Sequence, residues 1–308
     1  MGTFIGHISP GLAFFSFGIL YAFRYSWAVV TGAVTMPQNY SLAQKVGTQG
    51  LLKRLPLEGI MKVIYGTLAA SAEFFYPPGT NKLQIYDRSS HDLHFMHPNE
   101  WQHFTMYCYF AISGWVDIIS QTCLPRRQII LENVAITVAF YIEALLLFFH
   151  RHGKGVVEIT VHELLLLTCC FICVILTVEI WHSGDRVLCF AKTCLVQIQG
   201  TWLFHAAFIL YKPATGKPWK DDDMSNVMFV TTFYGWHIVL NAVLLAAIYG
   251  LVVVLHTIKP PQTWMKLKGH SEVCHMGFKG LPKSLQKMEY ARINTAETEA
   301  LANEDEEL

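Results

Sequence analysis

The chain has 308 residues, of which 53% are hydrophobic and only 15% charged. Soluble domains run near 25% charged, so this chain lacks the polar surface to stand in water. Its 23 basic residues match 23 acidic ones with no basic stripe, which argues against nucleic-acid binding, and the apolar fraction argues against disorder over most of the length.

In chain order, windows of about 19 residues find seven apolar stretches, each near the length that crosses a bilayer core. They cover 8–30, 57–75, 101–119, 129–149, 160–181, 187–210 and 227–258. Pro77-Pro78-Gly79, Pro125-Arg126-Arg127, Ser183-Gly184-Asp185 and Pro213 to Pro218 punctuate them, and Lys259-Pro260-Pro261 stops the last. The expected fold is therefore all-α, a seven-helix transmembrane bundle over 1–258 followed by a flexible cytoplasmic tail over 259–308.

Orientation follows from the Lys/Arg asymmetry. With the N-terminus outside or luminal, fourteen basic residues fall on the cytoplasmic side and seven on the other, as expected for N-out and C-in. The sequon Asn39-Tyr40-Ser41 then lies in a cytoplasmic loop and stays unglycosylated. No cysteine falls in an outside loop, so no disulfide framework is implied. Cys170-Phe-Ile-Cys173 has CxxC spacing, but in mid-membrane it reads as small packing residues.

Ionisable residues inside a span are costly unless they face the bundle interior, so each is a candidate functional group. His7, Glu73, His103, His150, His162, His205 and His237 all fall toward the outer ends of the spans. Residues seven apart share a helical face. On that basis His7 lies with Gly11 and Gly18, Glu73 with Gly59 and Gly66, Glu143 with His150, and His103 with Phe110 and Asp117. Small residues at such spacing mark close helix contact. Convergence of His103, His150, His162 and His237 on one outward-opening pocket is expected, with Glu73 or Glu143 beside them.

Three chemistries compete for that cluster. His7, Glu73, His103, His150, His162 and His237 could bind zinc, with a carboxylate as ligand or base. Two histidines on facing helices could ligate haem iron, or the imidazoles could relay protons. Against all three stands the plain reading, in which aromatic and His residues at helix ends anchor to the interface. A deeper layer holds Glu58, Asp117, Glu179 and Lys192, where an Asp117–Lys192 ion pair is expected. The loop from Tyr86 to His97 places three histidines and two aspartates together, and reads as a solvated loop. Asp221-Asp222-Asp223 reads as a polar start to the last span.

Several pieces carry a resemblance. They are Gly6-His7…Pro10-Gly11, Leu83-Gln84-Ile85-Tyr86, Trp101-Gln102-His103-Phe104-Thr105-Met106-Tyr107, His150-Arg151-His152, His162-Glu163-Leu164-Leu165, Gln199-Gly200-Thr201-Trp202 and Trp236-His237. In this order, over 1–258, the chain resembles the transmembrane protein 45 family, whose core is a domain of unknown function. The resemblance implies a seven-span protein of Golgi, endosomal or lysosomal membranes, without established catalytic activity. His205 stands where that family's pattern has Gln, and the segment 31–53 is unusually long, as in a divergent paralogue.

Three functions are compatible with these features. One is a binding or transport protein with an outward histidine site, using metal or protons. Another is an intramembrane metal-dependent hydrolase, although the HxxxH pair of seven-span zinc amidases is missing. The third is a trafficking or scaffold protein without a small-molecule site, working through its tail. There Tyr290-Ala291-Arg292-Ile293 fits the Tyr-x-x-apolar pattern bound by clathrin adaptors, which would send the protein through Golgi and endosomes, with Tyr290→Ala accumulating at the plasma membrane. The expected partners are the lipid bilayer and such an adaptor; substrate and oligomeric state are not encoded in any motif.

Overall fold

The structure is a computed structural model that describes residues 3–31, 56–87, 94–150, 155–220 and 222–258. Asn39, His152, Asp221, the centre of the Tyr86–His97 loop and the tail with Tyr290 and Ile293 lie outside the described residues.

Seven helices follow one another: α1 (Phe4–Thr31), α2 (Leu57–Phe75), α3 (Pro98–Thr122), α4 (Ile129–His150), α5 (Val156–Trp181), α6 (Arg186–Tyr211) and α7 (Met224–Ile258). Among the described residues there is no strand, only an isolated bridge between Tyr86 and Phe95 in the α2–α3 connection. Five helices, α1 and α4 to α7, are long and apolar enough to cross a membrane. The other two are more polar, because Glu58, Lys62 and Glu73 fall on α2 and Glu100 and Asp117 on α3.

Local chemistry sets several boundaries. α3 begins with Pro98, whose missing N–H costs nothing in a first turn. Asp185 caps α6 by accepting from the Val187 and Leu188 amides. Asp223 opens α7 in the same way, accepting from the Ser225 amide and hydroxyl, and those bonds hold its carboxyl below the usual range. The expected polar start to the last helix is thus an N-cap.

By internal contacts the chain divides into a unit over Met1–Val252 and a second over Val253–Leu308. In the second, the described residues 253–258 continue α7. Within the first, α1 packs on α2, each helix to α6 packs on the next, and α6 packs back on α1, closing a ring of six. α7 lies outside it, held by Thr168–Tyr234, by Gln197 donating to the Asn241 carbonyl, and by Ala22 against Leu245 and Ile248.

Two walls of the ring are closest, and both rest on glycine. Gly11 and Gly18 of α1 face Gly200 and Gln197 of α6, where a Cβ on Gly200 would run into the Phe14 and Phe15 backbone. Gly59 and Gly66 of α2 face α3, where a Cβ on Gly114 would lie 2.7 Å from the Gly59 carbonyl oxygen. Dispersion between closely approaching backbones is a main source of cohesion where lipid competes equally for apolar side chains. Gly200→Val should therefore lower the thermal unfolding temperature of the purified protein, as overpacking by about 1–3 kcal/mol would. Gly235→Val, on α7 with nothing within 4 Å of its added Cβ, should leave it nearly unchanged. Equal shifts would show that the α1–α6 approach is not a stabilising contact.

Candidate functional site

The ring encloses a cavity of about 990 Å³, lined at three levels. At the end that carries the α1 N-terminus stand His7, His103, His150 and His162. Phe14, Phe17, Phe110 and Phe140 form an aromatic middle, and Glu58, Lys62, Asp117, Glu132, Glu179 and Lys192 face the opposite end. The α4 lining residues Ile129, Glu132, Ile136, Phe140, Glu143, Leu147 and His150 recur every three or four positions, as one inward helical stripe requires, with Asn133 beside it.

The histidines form a row rather than a knot. Ring centroids are 5.5 Å apart for His7 and His162, 5.6 Å for His162 and His150, and 4.8 Å for His150 and His103. His103 Nδ1 then meets Glu73 Oε1 at 3.3 Å. Each Nδ1 has an oxygen acceptor. For His7 it is the Thr3 carbonyl at 3.1 Å, for His162 the Glu158 carbonyl at 2.8 Å, and for His150 the Gln102 side-chain carbonyl at 2.9 Å. An oxygen acceptor beside Nδ1 favours the tautomer with its proton on that nitrogen.

Not every expected member belongs. His237 is buried between α6 and α7, with Nε2 3.0 Å from Thr201 Oγ1 and 3.1 Å from Asn241 Nδ2. His205 packs edge-on against it at 4.9 Å, and Trp202 packs on both. The shared face of Trp202 and His205 therefore turns toward α7 and away from the cavity, and His237 acts as a polar clamp outside the ring. Glu73 reaches the row only through His103, whereas Glu143 lines the cavity directly. Among the described residues no three His, Cys, Asp or Glu side chains are arranged to hold one metal ion. Neighbouring rings in the row touch, which leaves no gap for a haem between them.

The deep layer also differs from the expected Asp117–Lys192 pair. Lys62 of α2 is the partner of Asp117, at 2.8 Å, and it also meets Glu58 at 3.0 Å. Lys192 instead bonds both oxygens of Glu179, at 2.6 and 2.7 Å. Arg24 adds a second cation to Glu58, Tyr21 donates to the same carboxylate, and Arg127 clamps Glu132. The i,i+4 spacing of Glu58 and Lys62 was the available signal for the missed lysine. Gln102 and Gln199 carry no comparable signal, because an amide in a span is only weakly informative without its neighbour.

A polar interior inside long apolar helices defines a polytopic membrane protein. Residues 130–250 match a family of unknown function, DUF716. The chain is 37% identical over 251 residues to transmembrane epididymal protein 1A of Mus musculus, covering 82% of this chain and 81% of that protein. It is 36% identical, with the same coverage, to transmembrane epididymal protein 1 of Rattus norvegicus. With the Homo sapiens protein of that name it shares 36% over 199 residues, 65% of this chain and 72% of the relative. The chain belongs to the family of the transmembrane epididymal proteins, and its residues 130–250 carry the DUF716 match.

Lys62 is 4% exposed and serves two carboxylates, whereas the Lys192 side chain is 22% exposed and serves one. Removing one partner of a buried pair costs about 3–5 kcal/mol, because a desolvated charge is left behind. Lys62→Met should therefore depress the unfolding temperature well beyond Lys192→Met. Equal depressions would mean that burial does not govern these pairs.

Proposed function

We propose that this chain is a seven-span protein of the transmembrane protein 45 group, N-terminus luminal and C-terminus cytoplasmic, whose histidine row relays protons into the central cavity. The observation that carries the proton chemistry is the continuous row His7–His162–His150–His103 with a carboxylate at its end. Charge on one ring disfavours charge on the next at these spacings, so protons advance one site at a time. A row spreads its lone pairs along a line, which suits a relay better than a metal centre.

Two further features support seven spans. α2 and α3 turn apolar residues outward, among them Ile64, Leu68, Ile112 and Trp115, while Lys62 and Asp117 meet inside the ring. The basic residues of 126–127, 186 and the tail then share the cytoplasmic side. The Golgi and endosomal-lysosomal address rests on the family resemblance and on Tyr290 and Ile293 as an adaptor signal in the tail. A scaffold role has no use for a lined cavity, and a hydrolase would need the missing HxxxH pair.

The relay is tested in liposomes that contain the full-length protein and a trapped pH-sensitive dye. After an imposed pH step, wild type should equilibrate faster than protein-free vesicles. His150→Gln interrupts the middle of the row and should slow the protein-dependent rate by about ten-fold or more, the range of a lost proton-transfer group. His237→Gln, outside the row, should retain most of it. Equal rates in wild type and His150→Gln would overturn the relay.

A further inference from the structure

One cavity-lining carboxylate stands apart. Glu58 has Arg24 at 3.1 Å and Lys62 at 3.0 Å, Asp117 has Lys62 at 2.8 Å, Glu132 has Arg127 at 2.7 Å and Glu179 has Lys192 at 2.6 Å. Glu143 has no cation among the described residues. The residue lines the cavity and is 6% exposed, its Oε1 accepts the Gln199 amide at 3.2 Å, and its Oε2 is buried with no hydrogen-bond partner among the described residues. A buried carboxylate oxygen left unsatisfied is expensive, and such groups point to something the isolated chain lacks.

The surroundings say what would satisfy it. Phe140, three residues before Glu143 on α4, joins Phe14 of α1 and Phe110 of α3 in a mutual cluster, with centroids 5.8, 5.6 and 5.1 Å apart. All three rings line the same cavity. Aromatic faces attract cations, most strongly when water is excluded, and a lone carboxylate supplies the counter-charge. An inorganic cation would need several oxygen ligands, which one carboxylate does not offer. The volume falls at the upper end of small-ligand sites, roughly 300–1,000 Å³. It also reaches the protein surface at Phe23, Trp27 and Leu57, which both line it and are 38–45% exposed, so a lipophilic molecule dissolved in the bilayer has a way in.

We infer that the cavity binds a lipophilic organic amine in its protonated form, its ammonium group donating to Glu143 Oε2 and its apolar body packed against Phe14, Phe110 and Phe140. This goes beyond the proton relay and does not depend on it, since no histidine takes part. Glu143 lies seven residues from His150, roughly 10 Å along the helix axis, so the two sites are separate along the cavity.

The probes are adamantylamine, protonated near neutral pH, and adamantanol, its neutral counterpart of the same shape. Binding is measured by calorimetry on the full-length protein in lipid nanodiscs. Wild type should bind the amine saturably and about ten-fold or more tightly than the alcohol, as a charge-assisted hydrogen bond implies. Glu143→Gln keeps the shape and an oxygen to accept from Gln199. It should abolish that preference while leaving the affinity for the alcohol unchanged. Phe140→Leu should weaken the amine about three-fold and the alcohol less. Equal binding of amine and alcohol by wild type would overturn the inference, as would a Glu143→Gln variant that holds the amine as tightly as wild type. The wild-type comparison decides alone if the variant does not fold. Loss of the proton relay in His150→Gln would leave all these results standing, so the two readings fail separately.

Discussion

In hydrocarbon a polar side chain has no water to fall back on, and this chain places at least seven ion-paired side chains and a row of imidazoles on its helices. Each must find its partner within the bundle, and that requirement explains the ring. Lys62 can serve Glu58 and Asp117 together only if α2 and α3 lie side by side. Arg24 and Tyr21 can reach Glu58 only if α1 closes on α2. Lys192 ties α6 to α5 through Glu179. The deep layer thus works as a set of bolts between neighbouring helices, while the outward faces carry Leu, Ile, Phe and Trp to the lipid.

Between the two polar ends of the cavity lies an aromatic cluster. Glycine lets α1 touch α6 and α2 touch α3 at backbone distance, whereas α1, α3 and α4 meet through the rings of Phe14, Phe110 and Phe140. The result is close contact around the circumference and open volume along the axis. Polar groups that could not be paired within the deep layer, the histidines and Glu143, are left facing that volume. A structural polar core would have satisfied Glu143 Oε2, and its solitary state separates this carboxylate from the four paired ones.

Much of this was legible in the sequence, for identifiable reasons. The apolar windows located all seven helices within a few residues, because five are long and apolar throughout and the other two keep enough apolar residues between their charged ones. Seven-residue spacing correctly grouped Glu143 with His150 and His103 with Phe110 and Asp117, because a helical face is a property of one helix. Neighbour identity is not. Nothing in α3 alone says whether Asp117 meets Lys62 or Lys192, and the deep pairing was misread for that reason. His237 was misjudged similarly: its burial is real, but the wall it faces belongs to α6 outside the ring. The unsatisfied oxygen of Glu143 emerges only once every neighbour is in place.

One face of each ring helix borders the cavity, while the opposite face carries exposed apolar side chains. Two positions on α4, two residues apart, separate these environments. Leu147 lines the cavity three residues before His150, and Leu145, 52% exposed, lies on the outer face. Cysteine placed at each site, treated in intact membranes with a membrane-impermeant thiol reagent, measures access to water directly. Labelling of Leu147→Cys well above the background of the native cysteines, with Leu145→Cys at that background, is the predicted result. The reverse pattern, or protection of both, would contradict a polar cavity inside the ring.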